Sequence, residues 1–105
     1  MLAYNANMKA TLIIERRIVF GDRDFAEAVV WMVPTPVPPS THNIKYRLVY
    51  IVEGKRIVGF DNERGRGDHR HDGDTVTPYQ FTSIDQLLED FAAAVEEWRR
   101  VHGKA

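Results

Sequence analysis

Two periodicities divide this chain. From residue 10 to residue 61, apolar and β-branched positions run together or alternate with polar ones; after residue 83 they recur every three or four positions. The first pattern predicts strands and the second a helix. Residues 10–20 include Thr11, Leu12, Ile13, Ile14, Ile18 and Val19, so one strand is expected there, bent at Glu15-Arg16-Arg17. Gly21-Asp22-Arg23-Asp24 is a turn signal. Residues 25–33 are almost continuously apolar, as in a central strand covered on both faces. Pro34-Thr35-Pro36-Val37-Pro38-Pro39-Ser40 excludes helix and sheet interior, because proline lacks a backbone donor. A stiff extended connection is expected.

Residues 44–52 predict a third strand. Tyr46, Leu48, Tyr50 and Val52 share one face; Lys45, Arg47, Val49 and Ile51 share the other. Glu53-Gly54 makes a tight hairpin turn into a fourth strand over residues 55–61. Residues 76–81 suit a short edge strand, since Pro78 argues against a central one. The helix is the clearest element. Ser83 is its N-cap candidate, with Gln86 at capping-box spacing. Ile84, Leu87, Leu88, Phe91, Val95 and Trp98 form one apolar stripe. Gly103 ends it, with Arg99, Arg100, His102 and Lys104 near the negative end of its dipole. The expected fold is α+β: an antiparallel β-meander of about four strands, plus an optional short edge strand, packed by one C-terminal amphipathic helix.

Composition narrows the class. The chain has 105 residues, which predicts one domain over residues 9–105; Met8 opens the patterned region, so residues 1–8 are expected to be a flexible extension. A net charge of −1 gives no global pull toward nucleic acid or membrane, so any affinity for a polyanion must be local. The absence of cysteine excludes disulfides and thiolate metal sites. No apolar run approaches a bilayer span and no signal-peptide layout is present, so a cytoplasmic protein without membrane partners is expected. No cofactor is expected.

The candidate chemistry lies in one block, residues 59–74, which is expected to be a loop. It combines acids, arginines, glycines and the only paired histidines, His69 and His71. If extended, the two imidazoles point the same way and suit a general base and a general acid. RNA cleavage by attack of a 2′-hydroxyl on the adjacent phosphate needs that pair, with cations to hold the transition state. The catalytic candidates are His69 and His71 with Arg64 and Glu63. The substrate-binding candidates are Lys45, Arg47, Asn62, Arg66 and Arg70. Lys45 and Arg47 lie beside the block if the third and fourth strands pair. Gly65 and Gly67 would let backbone amides approach a phosphate. Two alternatives stand. Asp61 and Glu63 near the arginines form ion pairs that merely hold the loop, or Asp61, Asp68, His69 and His71 ligate zinc or manganese in a metal-dependent nuclease. His42 and His102 read as structural, and Trp31 and Trp98 as core.

The order Val30-Trp31, Pro36-Val37-Pro38, Lys45-Tyr46-Arg47, Phe60-Asp61-Asn62-Glu63-Arg64-Gly65-Arg66-Gly67-Asp68-His69-Arg70-His71, Pro78-Tyr79-Gln80-Phe81 and Ser83-Ile84-Asp85-Gln86-Leu87-Leu88 resembles the TumE family. The resemblance covers residues 8–98. It implies the toxin of a type II toxin–antitoxin module with a cognate helix-turn-helix antitoxin as partner. Many small toxins of such modules cut RNA, which agrees with the metal-independent ribonuclease, with RNA as substrate, argued from the residues. Its rival is a non-catalytic binding protein whose charged loop recognises the antitoxin or another macromolecule. Phe60 stands where relatives are expected to carry tyrosine. One helix cannot cover a whole sheet, so a homodimer or a complex with the antitoxin is expected to bury the bare part.

Overall fold

The computed structural model describes residues 9–104. The extension expected at residues 1–8 lies outside them. The fold is α+β. Among the described residues, β1 (Thr11–Val19), β2 (Asp24–Met32), β3 (Ile44–Val52), β4 (Lys55–Glu63), β5 (Gly67–Asp72) and β6 (Thr75–Pro78) precede α1 (Ile84–Val101). The six strands pair antiparallel in chain order, one meander in a single sheet.

The sheet has six strands where about four, with an optional edge strand, were expected: β6 is that edge strand, and the further one, β5, comes from the charged block. It is not a loop. β4 runs on through Glu63, turns at residues 64–66 and returns as β5. Aspartate, asparagine and glycine are poor strand formers in isolation. Here Asn62 and Asp68 find partners on the helix-side face, and strand pairing overrides propensity. The turn uses left-handed backbone at Gly65 (φ 86°) and Gly67 (φ 75°). The Gly65 amide donates to Pro38 O at 2.8 Å, and a Cβ on Gly67 would lie 3.1 Å from the Pro39 ring. These glycines therefore dock the hairpin on the proline segment rather than cradle a phosphate.

In α1, Ser83 Oγ accepts from the Gln86 amide at 3.0 Å, while the Gln86 side chain donates forward to Asp90. The capping box is thus half made. Leu87, Phe91, Ala94 and Val95 bury against Tyr46, Leu48, Tyr50, Val58 and Phe60. The helix packs across β4. The β1 end stays bare: Leu12, Ile18 and Val19 are exposed, and a groove of about 630 Å³ runs between Ile14, Ile18 and Ala28 of the sheet and Leu88, Phe91 and Ala92 of the helix. β2 is one strand from this edge, so its outer-face residues Phe25, Val29 and Trp31 are half-buried rather than covered on both faces as expected.

Candidate active site

Strand alternation sorts the charged block onto two faces. Asn62, Asp68 and Arg70 point toward the helix side with Phe60. Asp61, Glu63, His69 and His71 point to the outer face. Register places Arg47, Asp61, His69 and Pro78 in one cross-strand row, with Val49, Gly59, His71 and Val76 in the next. Lys45 and Arg47 therefore do lie beside the block.

Asp61, His69 and His71 converge. Asp61 Oδ1 lies 2.5 Å from His69 Nε2 and 3.5 Å from His71 Nε2. The three residues are 9%, 4% and 4% exposed, yet none of these three atoms has a hydrogen-bond partner among the described residues. All three lie within 4.8 Å of one another. Electronegative atoms this close, screened from water, repel unless a proton or another cation lies among them. Glu63 Oε1 is 3.7 Å from His69 Nε2, at the rim.

The far side of each ring sets its tautomer. His69 Nδ1 lies 2.9 Å from Gly67 O. A carbonyl only accepts, so Nδ1 carries the proton and Nε2 of the neutral ring is a bare lone pair. His71 Nδ1 lies 3.0 Å from the Arg56 guanidinium. Arginine only donates, so Nδ1 accepts and Nε2 carries the proton. The two imidazoles thus offer Asp61 one bare nitrogen and one N–H. Burial first, then the Arg56 charge, lowers the His71 pKa from its ordinary value, partly offset by Asp61.

Arg56 reaches His71 because β4 carries a bulge. Tyr50 opposes Val58 but Ile51 opposes Arg56, so Ile57 is the extra residue and Arg56 rotates to the outer face. Gly59 makes room: a Cβ there would sit 3.0 Å from Arg56 Cδ and 3.4 Å from the His71 ring. Sequence reasoning missed Arg56 and Gly59. Both stand in plain view in the fourth strand, but no periodic signal marks a bulge.

The remaining candidates fall in different places. Lys45 Nζ donates to Asn62 O; burial lowers its pKa, opposed by Asp61 and Glu63. Arg47 is half-buried, opposite Asp61, and forms no ion pair with a described residue. Arg64 and Arg66 are exposed in the turn; Arg66 lies 3.7 Å from Glu63 and shares with His69, Val76 and Pro78 a pocket of about 280 Å³ at the sheet edge. Arg70 turns the other way, bonded to Asp72 at 2.9 Å and set over the Phe60 ring. Asn62 is fully buried, accepting from Tyr46 N at 3.0 Å and donating to Ile44 O at 2.8 Å. It extends the β3 ladder and has no route to a substrate. Asp68 is likewise on the helix side, held by Ser40, by His42 at 2.7 Å and by Tyr46 Oη at 2.7 Å. It is not available to the Asp61 cluster.

A family model described as Toxin TumE matches residues 4–99. No curated protein and no solved structure matches the chain.

Proposed function

This chain belongs to the TumE toxin family, and we propose that it is the toxin of a type II toxin–antitoxin module and acts by cleaving RNA without a metal. The observation that carries this reading is the convergence of Asp61, His69 and His71, buried and unpartnered, beside Arg47. RNA enters from the edge pocket that His69 lines. His69 Nε2 takes the proton of a 2′-hydroxyl as its oxygen attacks the adjacent phosphorus. The bond from phosphorus to the 5′-oxygen breaks, and the leaving oxygen takes the Nε2 proton of His71 in its imidazolium form, reached when Arg56 swings off Nδ1 and that nitrogen takes up a proton; the ring is left neutral. The products are a 2′,3′-cyclic phosphate and a free 5′-hydroxyl. Asp61 stabilises the imidazolium that forms on His69. Arg47 and Lys45 offset charge on the phosphorane-like transition state, and Arg66 meets the chain at the pocket. Glu63, at the rim, orients His69.

Such a toxin is cytoplasmic and needs an antitoxin, here a protein of the helix-turn-helix class. No described helix is long and apolar enough to cross a membrane. The groove along β1 suits an antitoxin better than a second copy. Its rim carries Arg16, Arg99, Arg100 and Lys104 against Glu27 and Glu96, so two copies would bring like charges together.

Incubation of the purified protein with total RNA, with and without chelator, tests the reading. Fragments ending in cyclic phosphate that persist in chelator are expected. Cleavage abolished by chelator supports a metal-dependent nuclease instead. Intact RNA supports a non-catalytic protein whose outer face is a recognition surface.

A further inference from the structure

We infer that Asp61 Oδ1, His69 Nε2 and His71 Nε2 form a site for one zinc-class dication, and that filling it silences the toxin. The ion-binding half stands on the geometry alone; the silencing half rests on the mechanism proposed above.

Three donor atoms on two adjacent strands point at one spot, each screened from water and without a hydrogen-bond partner among the described residues. Two imidazole nitrogens and one carboxylate oxygen are a donor set for zinc; magnesium and calcium prefer oxygen alone. The backbone has already oriented one ligand. The His69 Nδ1–H bond to Gly67 O fixes the tautomer that leaves Nε2 free, as the outer partners of metal-bound histidines do. Glu63, 3.7 Å from His69 Nε2, is placed to supply a fourth ligand. Asp68, bound on the opposite face, is not a ligand.

His71 is the conditional ligand. Its Nε2 becomes a lone pair only when the ring proton shifts to Nδ1, and that requires Arg56 to swing away. Arg56 is an exposed residue, so release into solvent is open to it. An ion there takes the lone pair with which His69 accepts a proton and displaces the proton that His71 donates. Metal and cleavage then compete for the same two nitrogens.

Titration calorimetry of zinc into chelator-stripped, full-length protein tests the site. One ion per chain is expected for the wild type and for His102→Ala, a histidine at the helix end that serves as control. His69→Ala and Asp61→Ala, checked as folded by circular dichroism, should bind at least about 100-fold more weakly. Cobalt in place of zinc should give visible absorption bands that His69→Ala lacks. No stoichiometric binding, or binding unchanged in both variants, overturns the site. In a parallel RNA assay, cleavage should fall in proportion to occupancy. Cleavage that rises with zinc overturns the silencing half and the metal-free mechanism while keeping the site. Stoichiometric zinc binding by a protein that never cuts RNA keeps the site and overturns the proposed function.

Discussion

The β4–β5 hairpin carries two polar clusters, one on each face, built from residues that alternate along the same strands. On the helix side, Asn62 and Asp68 are joined to Ser40, His42, Tyr46 and the β3 backbone. Each buried polar atom there has a partner. Burial and the Asp68 carboxylate push the Tyr46 hydroxyl far above its ordinary pKa, so it is a permanent donor. Phe81 stacks on His42 with ring centroids 4.0 Å apart and closes the cluster. On the outer face, one residue away in each strand, Asp61 and His69 sit just as deep with bare atoms aimed at each other. Both clusters hold aspartate and histidine away from bulk solvent. Satisfaction differs: a complete network specifies structure, whereas an incomplete one destabilises the fold unless something outside the protein completes it.

The comparison can be broken by substituting one face at a time. The largest effect is expected at Asp61. Asp61→Ala should lower RNA cleavage about 10²–10⁴-fold, while its denaturation midpoint stays close to wild type, because the residue leaves no new unpaired group behind. A midpoint shift as large as that of a core truncation would place Asp61 with the structural cluster. Asn62→Ala should do the reverse. It strands the Tyr46 amide and the Ile44 carbonyl, at about 1–3 kcal/mol each, so urea unfolding should show about 2–6 kcal/mol of lost stability. Any folded fraction should keep its specific cleavage rate. Arg47→Ala should cost cleavage about 10–100-fold, the value of one charge-assisted bond to a phosphate, with unchanged melting. Gly59→Ala pushes Arg56 off His71; a stability loss of about 1 kcal/mol and a several-fold drop in rate are expected. Arg64→Ala is the smallest change. The side chain is exposed in the turn, and a shift below about 0.5 kcal/mol is expected by thermal melt.

The contrast between the faces was half legible in the sequence. Period-two alternation in residues 44–52 showed that Lys45 and Arg47 share a face, and the Glu53-Gly54 turn pairs that strand with the next, as found. The helix and its cap were readable because Ser83 and the Leu87, Phe91, Val95 stripe each depend on local spacing alone. His69 and His71 were expected to point together if extended, and they do. The strands that carry them were not readable. Residues 61–72 have no apolar alternation, because neither face of this hairpin end is an apolar core; one face is a polar network and the other the bare cluster. For the same reason Asn62, Asp68 and Arg70 could not be told from Asp61 and His69. Which side of a strand a polar residue takes is set by register, and here no hydrophobic pattern reports it.

The central claim is that His69 and His71 move the protons of RNA cleavage. The most direct measurement is the cleavage rate of the His69→Ala/His71→Ala double variant beside wild type, on one defined RNA, in chelator, with both proteins shown folded by circular dichroism. A rate at least about 10³-fold lower in the double variant is predicted. Equal rates in two folded proteins would contradict the account and leave the outer-face cluster without a part in the chemistry.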